Sequence, residues 1–148
     1  ALMAQYFDPV VTIDPFIITN FGAPMCPVGE SPVLDIFKAN LKRLRIADRV
    51  RHVCNRSNVL RRMERLCAGI AFIDGDHSKE QCLADAEMCL RHIVRNGILV
   101  FHDWKRVQEN GSDPWAGVEE AVDAFLEAHI DMDIFSYRRG ICAVRRRK

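Results

Sequence analysis

Apolar residues recur along this chain in two rhythms. Some stand in short unbroken runs: Val10-Val11-Thr12-Ile13, Ile70-Ala71-Phe72-Ile73 and Ile98-Leu99-Val100-Phe101. Runs of that length, rich in branched side chains, predict buried strands of the parallel kind. Elsewhere apolar residues return every three or four positions. Val33, Leu34, Phe37, Leu41 and Leu44 predict a helix to about Leu44, capped by Ser31 or Asp35, with Lys38, Lys42 and Arg43 outside. Cys82, Ala86, Cys89, Leu90, Ile93 and Val94 predict one from Ser78 to Val94. Ser78 and Gln81 suggest a capping box at its start, and Asn96-Gly97 a left-handed stop. Val118, Ala121, Val122, Phe125 and Leu126 predict a third helix from Gly117 to His129.

The remaining segments complete an order of elements. Ala1 to Tyr6 reads as the last turns of a helix, broken at Asp8-Pro9. Residues 16–33 and 105–115, with their glycines and prolines, read as loops. Asp48 to Cys54 alternates as a strand, and Val59 to Leu66 reads as a short basic helix. Met132 to Tyr137 and Ile141 to Arg145, joined by Arg138-Arg139-Gly140, predict an antiparallel hairpin. The expectation is an α/β fold: a Rossmann-like three-layer sandwich. Its sheet is mostly parallel, covered by helices and closed by a C-terminal antiparallel hairpin, in one domain over residues 1–148.

Polar residues cluster where two of the apolar runs stop. Asp74, Asp76 and His77 follow one, and His102 and Asp103 follow the other. In an open α/β sheet ligands bind at the carboxyl ends of the strands. Neighbouring strands ending this way would gather three carboxylates and two imidazoles in one crevice. Asp14 closes the run Val10 to Ile13, where a ribose-binding acid sits in nucleotide-binding units, although Asp-Pro is also an ordinary turn. The structural alternative for Asp74 to Ser78 is a strand-to-helix turn in which Asp76 or Ser78 caps backbone N–H groups.

Composition narrows the classes. The hydrophobic fraction is 49%, the charged fraction 28% and the net charge +1, which gives no strong pointer to nucleic acid or to a membrane surface. The basic end, Arg145 to Lys148, reads as a solvated tail. No apolar run approaches the roughly 20 residues of a membrane span. Six cysteines are scattered without a C-x-x-C pair. This favours reduced thiols in a cytoplasmic protein over a disulfide framework, and leaves His77 with Cys82 a poor zinc pair.

Taken together, Phe72-Ile73-Asp74-Gly75-Asp76-His77-Ser78, Asn96-Gly97-Ile98-Leu99-Val100-Phe101-His102-Asp103-Trp104 and Gly117-Val118-Glu119-Glu120-Ala121-Val122 resemble the class I S-adenosylmethionine-dependent methyltransferases. The similarity is to the branch that includes metal-assisted O-methyltransferases of small molecules. It implies S-adenosylmethionine as cofactor, with Asp14 on the ribose, Ser57 in the turn that borders adenine, and Asp74 beside the cofactor. Asp74 and Asp103 match metal-holding positions for Mg²⁺, and His102 stands at a third, often acidic one. His77 or Asp76 matches the place of the catalytic base. Lys79 stands where an aromatic residue is common. Trp104 and Trp115 read as packing residues before pocket walls. The partner implied is a small-molecule methyl acceptor, with no nucleic acid and no membrane, and self-association is left open.

The family's first strand and its glycine-rich loop have no counterpart before Asp8, so the expectation is an N-terminally truncated domain. A degenerate nucleotide-binding domain with an assembly or regulatory role is the rival reading. An NAD-dependent oxidoreductase would need a G-x-G-x-x-G fingerprint, which the chain lacks.

Overall fold

The computed structural model describes residues 3–16, 32–106 and 111–147. They fall into two compact units, Ala1–Val59 and Leu60–Lys148. The loop expected over 16–33, apart from its ends, lies outside the described residues, as do the Ser31 cap, Cys26 and the centre of the 105–115 loop.

The first unit is built on two parallel strands, β1 (Val10–Ile13) and β2 (Val50–Val53), in register from Val10 opposite Val50 to Ile13 opposite Val53. Helix α1 (Pro32–Arg43) links them and begins on a proline, whose fixed φ and missing N–H suit a first helical turn. Leu34 and Leu41 point inward, and Leu41 joins Ala4, Ile46 and Val50 in a small core against which Val10 and Phe37 pack. Val33 and Leu44, expected on the buried stripe, are instead 45% and 40% exposed. The stripe is narrower than the periodicity implied because this core is small. Arg45 follows the helix with a φ of 55°, and the N–H groups of Arg45 and Ile46 return to Lys42 and Leu41 carbonyls.

The second unit is a four-stranded sheet with two helices on one face. Its elements are β3 (Ala68–Ile73), α2 (Lys79–His92), β4 (Ile93–Phe101), α3 (Ala116–Ala128), β5 (Met132–Arg138) and β6 (Ile141–Arg146). The order is β3-β4-β6-β5, with β3 parallel to β4 and β6 antiparallel to both its neighbours. The expected hairpin is present. Its loop is Arg139-Gly140, with φ of 50° and 77°, the two positive values a type I′ turn requires. Ile73, Leu99, Phe101, Cys142 and Val144 from the sheet meet Cys82 and Ala86 of α2 and Val118, Val122 and Phe125 of α3 in one core.

Two expectations fail at the ends of α2. Ser78 holds the N-cap position, yet its side chain makes no capping bond, and Gln81 donates to Asp85 Oδ1 (2.7 Å) instead of completing a capping box. Asp85 is buried beside Gly75 and accepts the Gln81 side-chain amide there. At the other end the helix stops at His92, not Val94, and β4 already starts at Ile93. Asn96-Gly97 is no helix stop; it lies within the strand. Pairing jumps there from Ala68–Ile93 to Ile70–Ile98, a bulge on β4. A Cβ at Gly97 would stand 3.1 Å from the Gly69 carbonyl oxygen, so this residue serves close strand approach.

The expected helix Val59 to Leu66 is a 3₁₀ segment, Ser57–Arg62. Its polar groups are taken up by a buried side chain instead of by further turns: His92 Nε2 lies 2.8 Å from the Leu60 carbonyl, and the Leu66 N–H donates to His92 Nδ1 at 3.3 Å. The two bonds fix the tautomer with the proton on Nε2.

Candidate functional site

The site residues of the second unit are placed by the backbone ladder. The His102 N–H donates to the Ile73 carbonyl at 3.0 Å, one residue beyond the end of β4. This holds His102 beside Asp74 at the carboxyl ends of two adjacent parallel strands. His102 Nδ1 lies 3.3 Å from Asp74 Oδ1 and 2.9 Å from Asp103 Oδ2. It is buried, and neither oxygen lies in line for a hydrogen bond. One ligand atom each from Asp74, His102 and Asp103 fall within 4.8 Å of one another.

Asp103 is the hub. Its backbone sits in the left-handed region (φ 57°), a conformation that costs a non-glycine residue on the order of 1 kcal/mol. That turn folds the buried carboxylate back over the strand end. Oδ2 faces His102 and His77, whose Nε2 is 3.1 Å away, while Oδ1 accepts from Arg106 Nη1 at 2.7 Å. Burial pushes the Asp103 carboxyl up. The hydrogen bond and charge of Arg106, with a smaller contribution from the neighbouring His102 ring, outweigh this and hold it below the usual carboxylate value. The guanidinium of Arg106 lies 4.9 Å over the Trp115 ring, and the backbone beyond is tied down by Trp104 N–H donating to the Gly140 carbonyl at 3.0 Å.

Asp76 has a different environment. Its Oδ1 accepts from the Ser78 N–H at 2.8 Å, and bonds from the Ser78 side chain and backbone lower its carboxyl further. A carboxylate so satisfied is a weak proton acceptor and serves the turn before α2, the capping role that the sequence left open. His77 is held from behind. Gly117, early in α3, packs so closely that an added Cβ would collide with the His77 carbonyl oxygen and lie 2.8 Å from the Lys79 nitrogen.

In the first unit, Asp14 follows β1 and the 55–58 turn follows β2, again at the carboxyl ends of neighbouring parallel strands. The Asp14 N–H donates to the Val53 carbonyl at 3.2 Å, and Asp14 Oδ1 accepts from the Phe16 N–H at 2.6 Å. Ser57 is half-buried at the start of the 3₁₀ segment.

Sequence reasoning missed Arg106 and the packing role of Gly117. Arg106 lies three residues after Asp103 in a segment read as polar loop. A cation so near a buried acid was the available signal. Trp104 is a core residue, 7% exposed, and Trp115 packs against the same core while carrying Arg106.

In the second unit, parallel β3 and β4 with acidic carboxyl ends, followed by an antiparallel hairpin, form a Rossmann-like α/β arrangement. The methyltransferase domain family matches residues 9–104, and the chain belongs to it. No curated protein matches the chain. Among solved structures, cofactor-bound Rv0187 from MTB superposes with a TM-score of 0.68 at 19% identity, over 94% of this chain and 62% of that one. The O-methyltransferase TomG from Streptomyces achromogenes, solved with SAM, superposes with a TM-score of 0.67 at 14% identity, over 97% and 66%. A Corynebacterium glutamicum protein does so with a TM-score of 0.65 at 17% identity, over 92% and 59%. The chain thus spans less than two thirds of each. The Rossmann-like fold and the methyltransferase family implied by the strand-end motifs are both borne out.

Proposed function

We propose that this chain acts in S-adenosylmethionine-dependent methyl transfer to a hydroxyl of a small molecule, as a single methyltransferase-like domain over residues 1–148. The observation that carries this reading is the convergence of Asp74, His102 and Asp103 at two adjacent strand ends, with His77 on the same carboxylate. In this reading the carboxylate of Asp14 receives the ribose hydroxyls, Ser57 borders the adenine and Asp74 adjoins the cofactor.

The donor set fits a divalent cation. A buried imidazole nitrogen with two carboxylate oxygens close by and a hydrogen bond to neither is better matched to a shared cation than to a proton. Asp74, His102 and Asp103 would hold it. When bound, a hard ion such as Mg²⁺ lowers the pKa of a coordinated hydroxyl and orients it.

His77 is the proton acceptor in this reading. With its Nε2–H donated to Asp103 Oδ2, the lone pair on Nδ1 is left to receive the hydroxyl proton. The hydroxyl oxygen then bonds to the methyl carbon as the carbon–sulfur bond breaks, giving a methyl ether and S-adenosylhomocysteine. Arg106 fixes Asp103 through Oδ1, so that Oδ2 keeps its aim. Asp76 shapes the turn that carries His77.

The acceptor in this proposal is a small molecule, with neither nucleic acid nor membrane as partner, and the work is done in the cytoplasm. Among the described residues no helix is long and apolar enough to cross a membrane. The test is transfer of a labelled methyl group from S-adenosylmethionine to a panel of catechols and sugar hydroxyls by the full-length protein. His77→Ala should lower kcat by about 10²–10⁴-fold while calorimetry shows unchanged cofactor binding. Absence of cofactor binding by the wild type, or full activity in His77→Ala, would refute the proposal.

A further inference from the structure

The second unit is acidic at the carboxyl ends of β3 and β4 and basic at their amino ends. Two adjoining open depressions of the surface, of about 150 and about 350 Å³, lie there and share Leu90. Arg65, Arg95 and Arg146 line the first around an apolar floor of Leu90, Ile93 and Val94. Arg61 and Arg91 line the second. Ile93 pairs with Ala68 and Phe101 with Ile73, so this end lies roughly 17–20 Å from the Asp74–His102–Asp103 cluster. The two sites cannot share a small ligand.

These arginines are mounted on fixed backbone. The bonds of buried His92 to Leu60 and Leu66 pin both ends of the segment that bears Arg61 and Arg65. Arg65 Nη2 also donates to the Ile93 carbonyl at 3.0 Å. Arg95 stands in the β4 bulge, a device that turns a side chain away from its regular direction. Arg91 is on the last turn of α2. Among the described residues, Arg61, Arg91 and Arg95 have no carboxylate within ion-pair distance, whereas Arg49, Arg106, Arg146 and Arg147 each have one. Glu87, the acid lining the second depression, is engaged by His129 at 2.8 Å.

We propose that this end is a binding site for a small phosphate-bearing anion with two or more phosphate groups. Arginine forks recognise phosphate oxygens in pairs. Three uncommitted guanidinium groups around two joined depressions call for more than one phosphate. The apolar floor would take a non-polar part of the same ligand. Neither depression is lined by an aromatic side chain, the platform on which single-stranded nucleic acid stacks.

Calorimetry of the full-length protein with inorganic pyrophosphate, supported by ³¹P line broadening, tests this. We expect saturable binding that weakens by about tenfold or more in each of Arg91→Gln and Arg95→Gln. Both side chains are exposed, so the fold should persist, and circular dichroism checks that it does. Arg138→Gln, an exposed arginine of the hairpin outside both depressions, should bind as the wild type does. Parallel arms use a single-stranded RNA oligonucleotide and vesicles with anionic lipid. No pyrophosphate binding, equal weakening by Arg138→Gln, or binding of only the RNA or the vesicles overturns the proposal.

Discussion

Replacing Gly117 by alanine should damage the proposed chemistry more than the fold. The new Cβ would collide with the His77 carbonyl oxygen and stand 2.8 Å from the Lys79 nitrogen and 3.2 Å from the Ser78 carbonyl carbon. All three are backbone atoms, so no side chain can rotate away. Ordinary contact needs roughly 3.5 Å, so the turn that carries His77 must retreat by about 1 Å. Overpacking of this kind costs about 1–3 kcal/mol. Alanine recovers up to about 1 kcal/mol through its better helix propensity. The net loss is about 0–2 kcal/mol, and at about 2–4 °C per kcal/mol for a chain of this size Tm should fall by at most several degrees. A shift of about 1 Å in a proton acceptor can cost about 10²-fold in rate. Gly69→Ala is the control, because a Cβ there meets nothing within 4 Å. Thermal melts and methyl-transfer rates should therefore diverge: a modest fall in Tm with a large fall in kcat for Gly117→Ala, and little of either for Gly69→Ala. If Gly117→Ala is as stable and as active as the wild type, the close approach does not position His77.

Other consequences follow from the same contacts. Arg106→Ala leaves the buried Asp103 carboxylate without its 2.7 Å partner and should cost about 1–3 kcal/mol in chemical denaturation. Asp103 has its folded pKa below its ordinary value of 3.8, so its stabilisation is fully present above that value and is lost as pH falls through the lowered one. Acid unfolding of Asp103→Asn should accordingly show a shallower slope below about pH 4. Burial, with Asp85 or Asp123 nearby, pushes the thiols of Cys82, Cys89 and Cys142 up to about 11, 12 and 12. At pH 8 a thiol reagent should modify exposed Cys67 quickly and these three only as the protein unfolds; fast labelling of Cys142 would contradict the packing. These raised values also mean that stability falls as pH rises above 9.

Much of the fold was legible because the elements keep the period of their apolar residues, although in the run at 70–73 only Ile73 is buried and Phe72 is 43% exposed. The runs at 70–73 and 98–101 became paired parallel strands, and Arg138-Arg139-Gly140 gave a two-residue hairpin turn. Boundaries failed where tertiary contacts overrode local signals. Asn96-Gly97 looks like a helix stop, but the strand pairing draws residues from Ile93 onward into β4. Val59 to Leu66 has a helical composition, yet His92, 26 and 32 residues away in sequence, takes up its polar groups. In the site, Asp74, His77, His102 and Asp103 were identifiable by type and position at strand ends. Their roles were not. Only geometry separates Asp76, engaged by Ser78, from His77, engaged by Asp103. Arg106 offered only its nearness to Asp103 as a signal, and nothing in a polar loop shows that its guanidinium turns back on that buried acid.

In the proposed function, Asp74, His102 and Asp103 form one cation-holding centre beside His77. Titration of the full-length protein with Mn²⁺, as a paramagnetic stand-in for Mg²⁺, followed by the loss of the free-ion resonance, tests it most directly. One strong site per chain is expected, abolished in Asp103→Asn and weakened at least about tenfold in Asp74→Asn, with Asp8→Asn unchanged. Undiminished binding in Asp103→Asn, or no site in the wild type, would contradict the centre.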